Sequence, residues 1–171
     1  VKDIFVMDLD GKNVKPITRA QNVDKFIMPR MSPNTSKILY VMEGDGLYIM
    51  SYPEDTLGVA VTKDDGQKII PVSSKYFRNI RWSSDSKKAI LWSYENGSYF
   101  LYVFELGGLP ELRLLQAGAR YADWMYGSST DTVIFRSESS DAMFTKEISA
   151  TSVSEPTLFY NAPWAQRQPR Q

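Results

Sequence analysis

The chain has 171 residues, 43% hydrophobic and 23% charged, and its twenty basic and twenty acidic side chains cancel. It contains neither Cys nor His. That excludes a Cys nucleophile, a Ser-His-Asp triad, a Cys/His zinc site and a His-ligated haem within these residues. Zero net charge without a basic stripe argues against a nucleic-acid partner, and no run of roughly 18 apolar residues offers a membrane span.

Taken in chain order, short alternating apolar runs punctuated by Gly, Ser, Asn and Asp predict strands and hairpins rather than helices. The chain opens on Val1, as a processed or excised N-terminus would. Residues 3–19 then read as a hairpin, with Phe5 to Leu9 as its first strand and a turn around Asp10-Gly11. Four strands, A to D, follow in a first complete unit: Phe26 to Met31, Lys37 to Glu43, Leu47 to Tyr52 and Gln67 to Ser73. Between the last two, residues 54–66 form an insertion, read as a tolerated surface loop. A second unit is expected over Phe77 to Trp82, Lys87 to Tyr94, Ser98 to Leu106 and Glu111 to Gln116. A third is expected over Tyr121 to Trp124, Thr132 to Ser137, Ala142 to Ile148 and Pro156 to Tyr160. Ala162 to Trp164 begins another A strand, and the polar residues 165–171 read as a tail.

A tryptophan marks the same place in successive units. The interval is 42 residues from Trp82 to Trp124 and 40 from Trp124 to Trp164, and Met31 holds the place 51 residues before Trp82. A period of about 40–45 residues carried by short strands is the sequence signature of four-stranded propeller blades. The expected fold is therefore all-β, a β-propeller of four-stranded antiparallel blades, with about 3.5 to 4 of them in this chain. The expected organisation is one propeller region: a half blade over 1–25, blades over 26–75, 76–118 and 119–161, and the opening of another over 162–171. The apolar faces of blades bury only against neighbouring blades. Either the two ends combine into one last blade, or further blades come from more chain or from a partner.

The residues that carry these units resemble a known family. Phe5-Val6-Met7-Asp8-Leu9-Asp10-Gly11 followed by Pro16-Ile17-Thr18 resembles one hairpin of the TolB-type β-propeller repeat. Pro29-Arg30-Met31-Ser32-Pro33-Asn34 with Ile38-Leu39-Tyr40 resembles its companion hairpin. So does Ile80-Arg81-Trp82-Ser83-Ser84-Asp85 with Ala89-Ile90-Leu91-Trp92. The third unit keeps Asp123-Trp124 and Val133-Ile134-Phe135 but departs at its turn. The resemblance implies a propeller scaffold that binds protein partners, in a periplasmic or extracellular setting of the bacterial envelope. The same repeat also serves as the gate of prolyl-oligopeptidase-like hydrolases, whose catalytic domain would lie outside this chain. A sugar- or ion-binding propeller and a structural subunit of a larger complex are further readings.

Candidate sites follow from residue type. The run Asp8 to Asn13 has carboxylates at alternate positions, like half a calcium loop, yet no acidic residue closes it, and a hairpin turn is favoured. The acidic turns Glu43 to Gly46 and Asp64 to Gly66 read as solvated rather than as acid–base pairs. Arg30 and Arg81 each precede the marker residue of an innermost strand, where they would face a central ligand or pair with the neighbouring blade, Arg81 with Asp123 for example. Tyr76, Phe77, Arg78, Arg120 and Tyr121 are placed in the connections between strand D and the next strand A, which gather on one rim. Tyr and Arg are enriched in interface hot spots. The protein-binding candidates are thus Arg30, Tyr76, Arg78, Arg81, Arg120 and Tyr121. No catalytic, cofactor-binding or metal-ligating residue is assigned.

Overall fold

Apolar residues on both faces of the central strands dictate sheets that are covered on both sides. The computed structural model describes residues 2–18, 26–43, 45–52, 67–71, 76–107, 112–127, 131–140, 142–149 and 154–160. Among them it contains fourteen strands and no helix. Strands β1 (Phe5–Val6) and β2 (Lys15–Pro16) form a two-stranded hairpin. The first four-stranded sheet holds β3 (Phe26–Met31), β4 (Lys37–Met42), β5 (Gly46–Ser51) and β6 (Gln67–Pro71). The second holds β7 (Tyr76–Trp82), β8 (Lys88–Glu95), β9 (Ser98–Glu105) and β10 (Leu112–Ala117). The third holds β11 (Ala119–Trp124), β12 (Thr132–Ser137), β13 (Met143–Glu147) and β14 (Thr157–Tyr160). Each sheet runs in chain order with antiparallel neighbours. The innermost strands touch in succession, β3 against β7 and β7 against β11.

The sheets stack through three apolar layers. Ile4 packs with Ile38, Tyr40, Met42, Tyr48 and Met50, which joins the N-terminal hairpin to the first sheet. The opposite face of the same strands, Leu39, Val41, Leu47 and Ile49, meets Ile80, Trp82, Leu91 and Phe104 of the second sheet. Ile90, Trp92, Leu101 and Val103 then meet Ala122, Trp124, Val133 and Phe135 of the third. Strand side chains alternate between faces, so one run such as Lys37–Met42, KILYVM, feeds two layers at once. That is why Ile38 to Met42 of β4 and Ala89 to Trp92 of β8 are unbroken apolar runs.

Every innermost strand carries the same defect. The ladder shifts between Ile27 and Arg30, between Arg78 and Arg81, and between Arg120 and Asp123, so that two residues oppose one on the partner strand. At each bulge a residue other than glycine adopts positive φ: Met28 at 53°, Asn79 at 47° and Tyr121 at 54°. The extra residue changes the phase of the strand. Phe77, Ile80 and Trp82 are all buried, as are Ala119, Ala122 and Trp124, at a spacing of three and then two. Simple alternation would have sent the marker tryptophan to the wrong face.

The burial of Trp82 and of Trp124 is completed by a hydrogen bond. Trp82 donates its indole N–H to the backbone carbonyl of Arg30 at 2.9 Å, and Trp124 donates to that of Arg81 at 3.0 Å. Further polar ties run between sheets. The Asn34 amide donates to Ser86 Oγ at 2.9 Å. Lys88 Nζ meets Asp131 at 2.6 Å. The buried Lys146 donates to the carbonyl of Leu115 at 2.6 Å. Burial opposes the charge of Lys88, but the hydrogen bond and the charge of Asp131 outweigh it and raise its pKa. Burial lowers the pKa of Lys146.

Two sequence expectations are corrected. The third innermost strand begins at Ala119 rather than Tyr121, and the second at Tyr76. Tyr76, Phe77, Arg78, Arg120 and Tyr121 are therefore strand residues and not connection residues. The bulge is the reason, because it lets the ladder resume one or two residues upstream of where strict alternation stops. The connection from β10 to β11 shrinks to Gly118, at φ 67°. The insertion at 54–66, the turn residues Asp64 to Gly66, Trp164 and the tail lie outside the described residues.

Replacing Trp124 by Phe is expected to lower the unfolding free energy by about 1–3 kcal/mol, through the unpaired Arg81 carbonyl and the smaller ring. Met31→Ala, at a half-exposed position, should cost under about 1 kcal/mol. Urea denaturation of both variants checks this, and equal losses would remove the indole bond from the account. The Lys88–Asp131 pair makes a second forecast. A lysine whose folded pKa is raised contributes stability that is complete below its ordinary value, about 10.4, and lost as pH climbs through the raised one. Between about pH 8 and pH 11 the parent protein should lose more stability than Asp131→Asn, as measured by urea midpoints at each pH.

Candidate functional site

The hairpin joining β8 to β9 turns on Asn96 and Gly97, with φ of 48° and 87°. An Asn-Gly pair of positive φ matches the twist of the flanking strands. The turn sets Tyr94 directly opposite Tyr99, with ring centroids 4.8 Å apart and planes tilted by 55°. Tyr94 and Trp92 are two residues apart, so they lie on one face of the sheet. Trp92 is buried against the third sheet, while Tyr94 extends past the core to the rim and is exposed.

Across the gap stands the start of β11. Its bulge turns Tyr121 outward, and the residue is 65% exposed. A bulky residue in the left-handed region is strained by roughly 1–2 kcal/mol, and an exposed ring recovers little of that by burial. Asn79 occupies the matching bulge of β7. Together Asn79, Trp92, Tyr94, Tyr99, Arg120 and Tyr121 line a cavity of about 280 Å³ between the second and third sheets. Two of the three left-handed bulge residues thus converge on one hollow.

Arg120 supplies its charge. The guanidinium carbon lies 5.4 Å from the centre of the Tyr121 ring, within cation–π range. Its Nε is buried without a hydrogen-bond partner among the described residues. Directly opposite on β12 is Arg136, a like charge. The carboxylate nearest in sequence, Asp123, pairs with Arg81. Glu138 accepts the Tyr99 amide at 3.1 Å, and Glu95 accepts from Ser93 and, at 3.0 Å, from Tyr102.

The sequence candidates separate accordingly. Arg120 and Tyr121 come together in the cavity wall. Arg30 lies away from it, exposed, with its guanidinium donating to the Pro29 carbonyl at 2.8 Å. Arg81 pairs with Asp123 at 3.6 Å, the inter-blade alternative raised from the sequence. Tyr76 and Arg78 stand in β7 opposite Tyr94 and Trp92, and their side chains lie outside the described residues. Trp92, Tyr94, Tyr99 and Asn79 were missed by sequence reasoning. One signal was available: two tyrosines placed symmetrically about Asn96-Gly97. The Asp8 to Asn13 run is a turn whose carboxylates serve its own donors, with Asn13 Nδ2 to Asp8 at 2.5 Å and the Lys12 amide to Asp10 at 3.0 Å. Among the described residues no helix is long and apolar enough to cross a membrane, which says nothing of membrane β-barrels.

Neither a protein-family model nor a curated protein sequence matches the chain. Solved structures do. TolB from Acinetobacter baumannii is 17% identical with a TM-score of 0.57, over 87% of this chain and 36% of that one. An oligogalacturonate lyase from Vibrio parahaemolyticus is 14% identical with a TM-score of 0.62, over 90% of this chain and 45% of the other. A puromycin hydrolase is 13% identical with a TM-score of 0.59, over 85% and 25%. The shared feature is the fold: the chain has the β-propeller architecture its repeats predicted, and TolB is among the proteins that share it. It spans 36%, 45% and 25% of the length of these three proteins.

Tyr121→Gly is expected to leave stability unchanged or raise it by up to about 1 kcal/mol, because glycine adopts the left-handed region freely and the exposed ring buries little. A thermal or urea melt measures this. A drop of more than about 1 kcal/mol would make Tyr121 a packing residue.

Proposed function

We propose that this chain is a non-catalytic section of a larger propeller that binds a protein partner through the rim where its second and third sheets meet. The observation that carries this reading is the cavity between Tyr94, Tyr99, Arg120 and Tyr121. Aromatic side chains and arginine dominate binding energy at protein interfaces, seated in or around pockets on a rigid frame. Here the frame is a pair of stacked sheets, and the strained Tyr121 buries little of its side chain. Strain kept at an exposed aromatic is what a recognition site requires and a purely structural position does not.

The larger propeller is supported by the N-terminal hairpin. Phe5, Met7, Leu9 and Val14 are exposed there, an apolar group that a further sheet would cover. The TolB-type resemblance supports a periplasmic or extracellular setting.

A photo-crosslinking amino acid at position 94 of the full-length protein in its native cells should trap one partner protein, identified by mass spectrometry. With the purified partner, Tyr121→Gly should weaken binding at least about tenfold, the cost of a modest hot spot, while the melt stays that of the parent. No specific crosslink, or unaltered binding by Tyr121→Gly, would remove the rim from the account.

A further inference from the structure

Among the described residues the rim cavity is lined by one cation and no anion, and that imbalance has a chemical meaning. Its lining is Asn79, four aromatic rings and Arg120. Arg120 makes no hydrogen bond or ion pair among the described residues, and its Nε is buried. The residue directly across the ladder is Arg136. Like charges directly opposite on a sheet destabilise it, which opposes the modest cation–π gain of Arg120 on the Tyr121 ring. No carboxylate lines the cavity among the described residues, and Glu95 and Glu138 accept hydrogen bonds from Ser93, Tyr102 and the Tyr99 amide rather than from Arg120. A guanidinium left without a counter-ion beside a hollow is a receptor for one, because its planar fork matches a carboxylate.

The rest of the lining limits what accompanies that group. Tyr94, Tyr99 and Tyr121 offer ring faces and hydroxyls, and the floor at Trp92 is apolar. A volume of about 280 Å³ falls just below small-molecule pockets, about 300–1,000 Å³. It accommodates one or two amino-acid side chains.

We propose that this cavity takes a carboxylate of the partner protein, an acidic side chain next to an aromatic or apolar one, with Arg120 as its counter-charge and the tyrosines as its walls. This rests on the reading of the rim as a protein-binding surface and adds the chemistry of what is bound. Asn79 supplies an amide for the backbone of the incoming segment, and Tyr121 holds the guanidinium by its ring face.

The test uses two blocked dipeptides, N-acetyl-Glu-Tyr-amide and its Gln-Tyr twin, titrated into the isotope-labelled full chain and followed by NMR. The acidic peptide should shift the Trp92 indole and the amides of Tyr99, Arg120 and Tyr121, and bind about tenfold more tightly than its twin, as a charge-assisted hydrogen bond implies. Arg120→Gln should abolish the difference between the peptides without lowering the melting temperature, since it relieves the repulsion from Arg136. Arg120→Lys should keep part of the preference. Equal binding of the twins by the parent protein overturns the proposal. So does inorganic phosphate shifting the same amides as strongly, which would make the hollow a general oxyanion site. An Arg120→Gln variant that melts earlier yet still prefers the acidic peptide also overturns it. The two readings fail separately. A partner trapped at position 94 with equal twins removes only the carboxylate. A preference for the acidic twin with no partner trapped removes the rim as a protein surface.

Discussion

An indole N–H that reaches one sheet back ties the successive sheets together. Trp82 donates to the Arg30 carbonyl and Trp124 to the Arg81 carbonyl, each acceptor being the residue just before the marker position of the preceding innermost strand. Stacked apolar sheets can slide past one another at little cost, because the hydrophobic effect is not directional. A donor that must find one particular carbonyl removes that freedom. It sets the angle and offset between blades, and the apolar layers of Trp82 with Leu39 and of Trp124 with Ile90 fill in around it.

The same constraint explains why the bulges are necessary. For the ring to face backward and the residue before it to present its carbonyl, the strand must change phase upstream. A left-handed residue at positions 28, 79 and 121 achieves that. Asparagine tolerates such a backbone at little cost and tyrosine does not. The architecture therefore requires the defect, and side-chain choice at the defect is what remains free to serve recognition. Arg81 shows the opposite outcome. Its carbonyl serves the joint, and its guanidinium is held by Asp123.

Much of this fold was legible in the sequence because the repeat is physical. Trp82 and Trp124 recur at blade spacing, and β4, β5, β8, β9, β12, β13 and β14 lie within a residue or two of where apolar alternation placed them. The third innermost strand was harder. Reading Tyr121 as the start of its strand followed from counting apolar positions by twos, and a bulge breaks that count without any glycine to announce it. The rim cavity was half legible. Arg120 and Tyr121 stood out by residue type, whereas Tyr94 and Tyr99 belong to a different sheet. Only the stacking of the second sheet on the third brings them opposite β11. Pairing across sheets leaves no trace in local periodicity, so no pattern within one unit could have joined these four residues.

The single-residue passage at Gly118 has a bearing on how such a surface diversifies. Its amide donates to the Tyr99 carbonyl at 2.7 Å, and its own carbonyl accepts from Glu138 at 2.6 Å. A link so short and so fully bonded has no slack to absorb inserted residues. Lengthening it would detach the inner edge of one sheet from the outer edge of the last. Descendants of this chain are thus barred from remodelling this corner by growing a loop. They must vary by point replacement on a fixed backbone, and the bulge and hairpin positions around the hollow are where such variation costs the fold least.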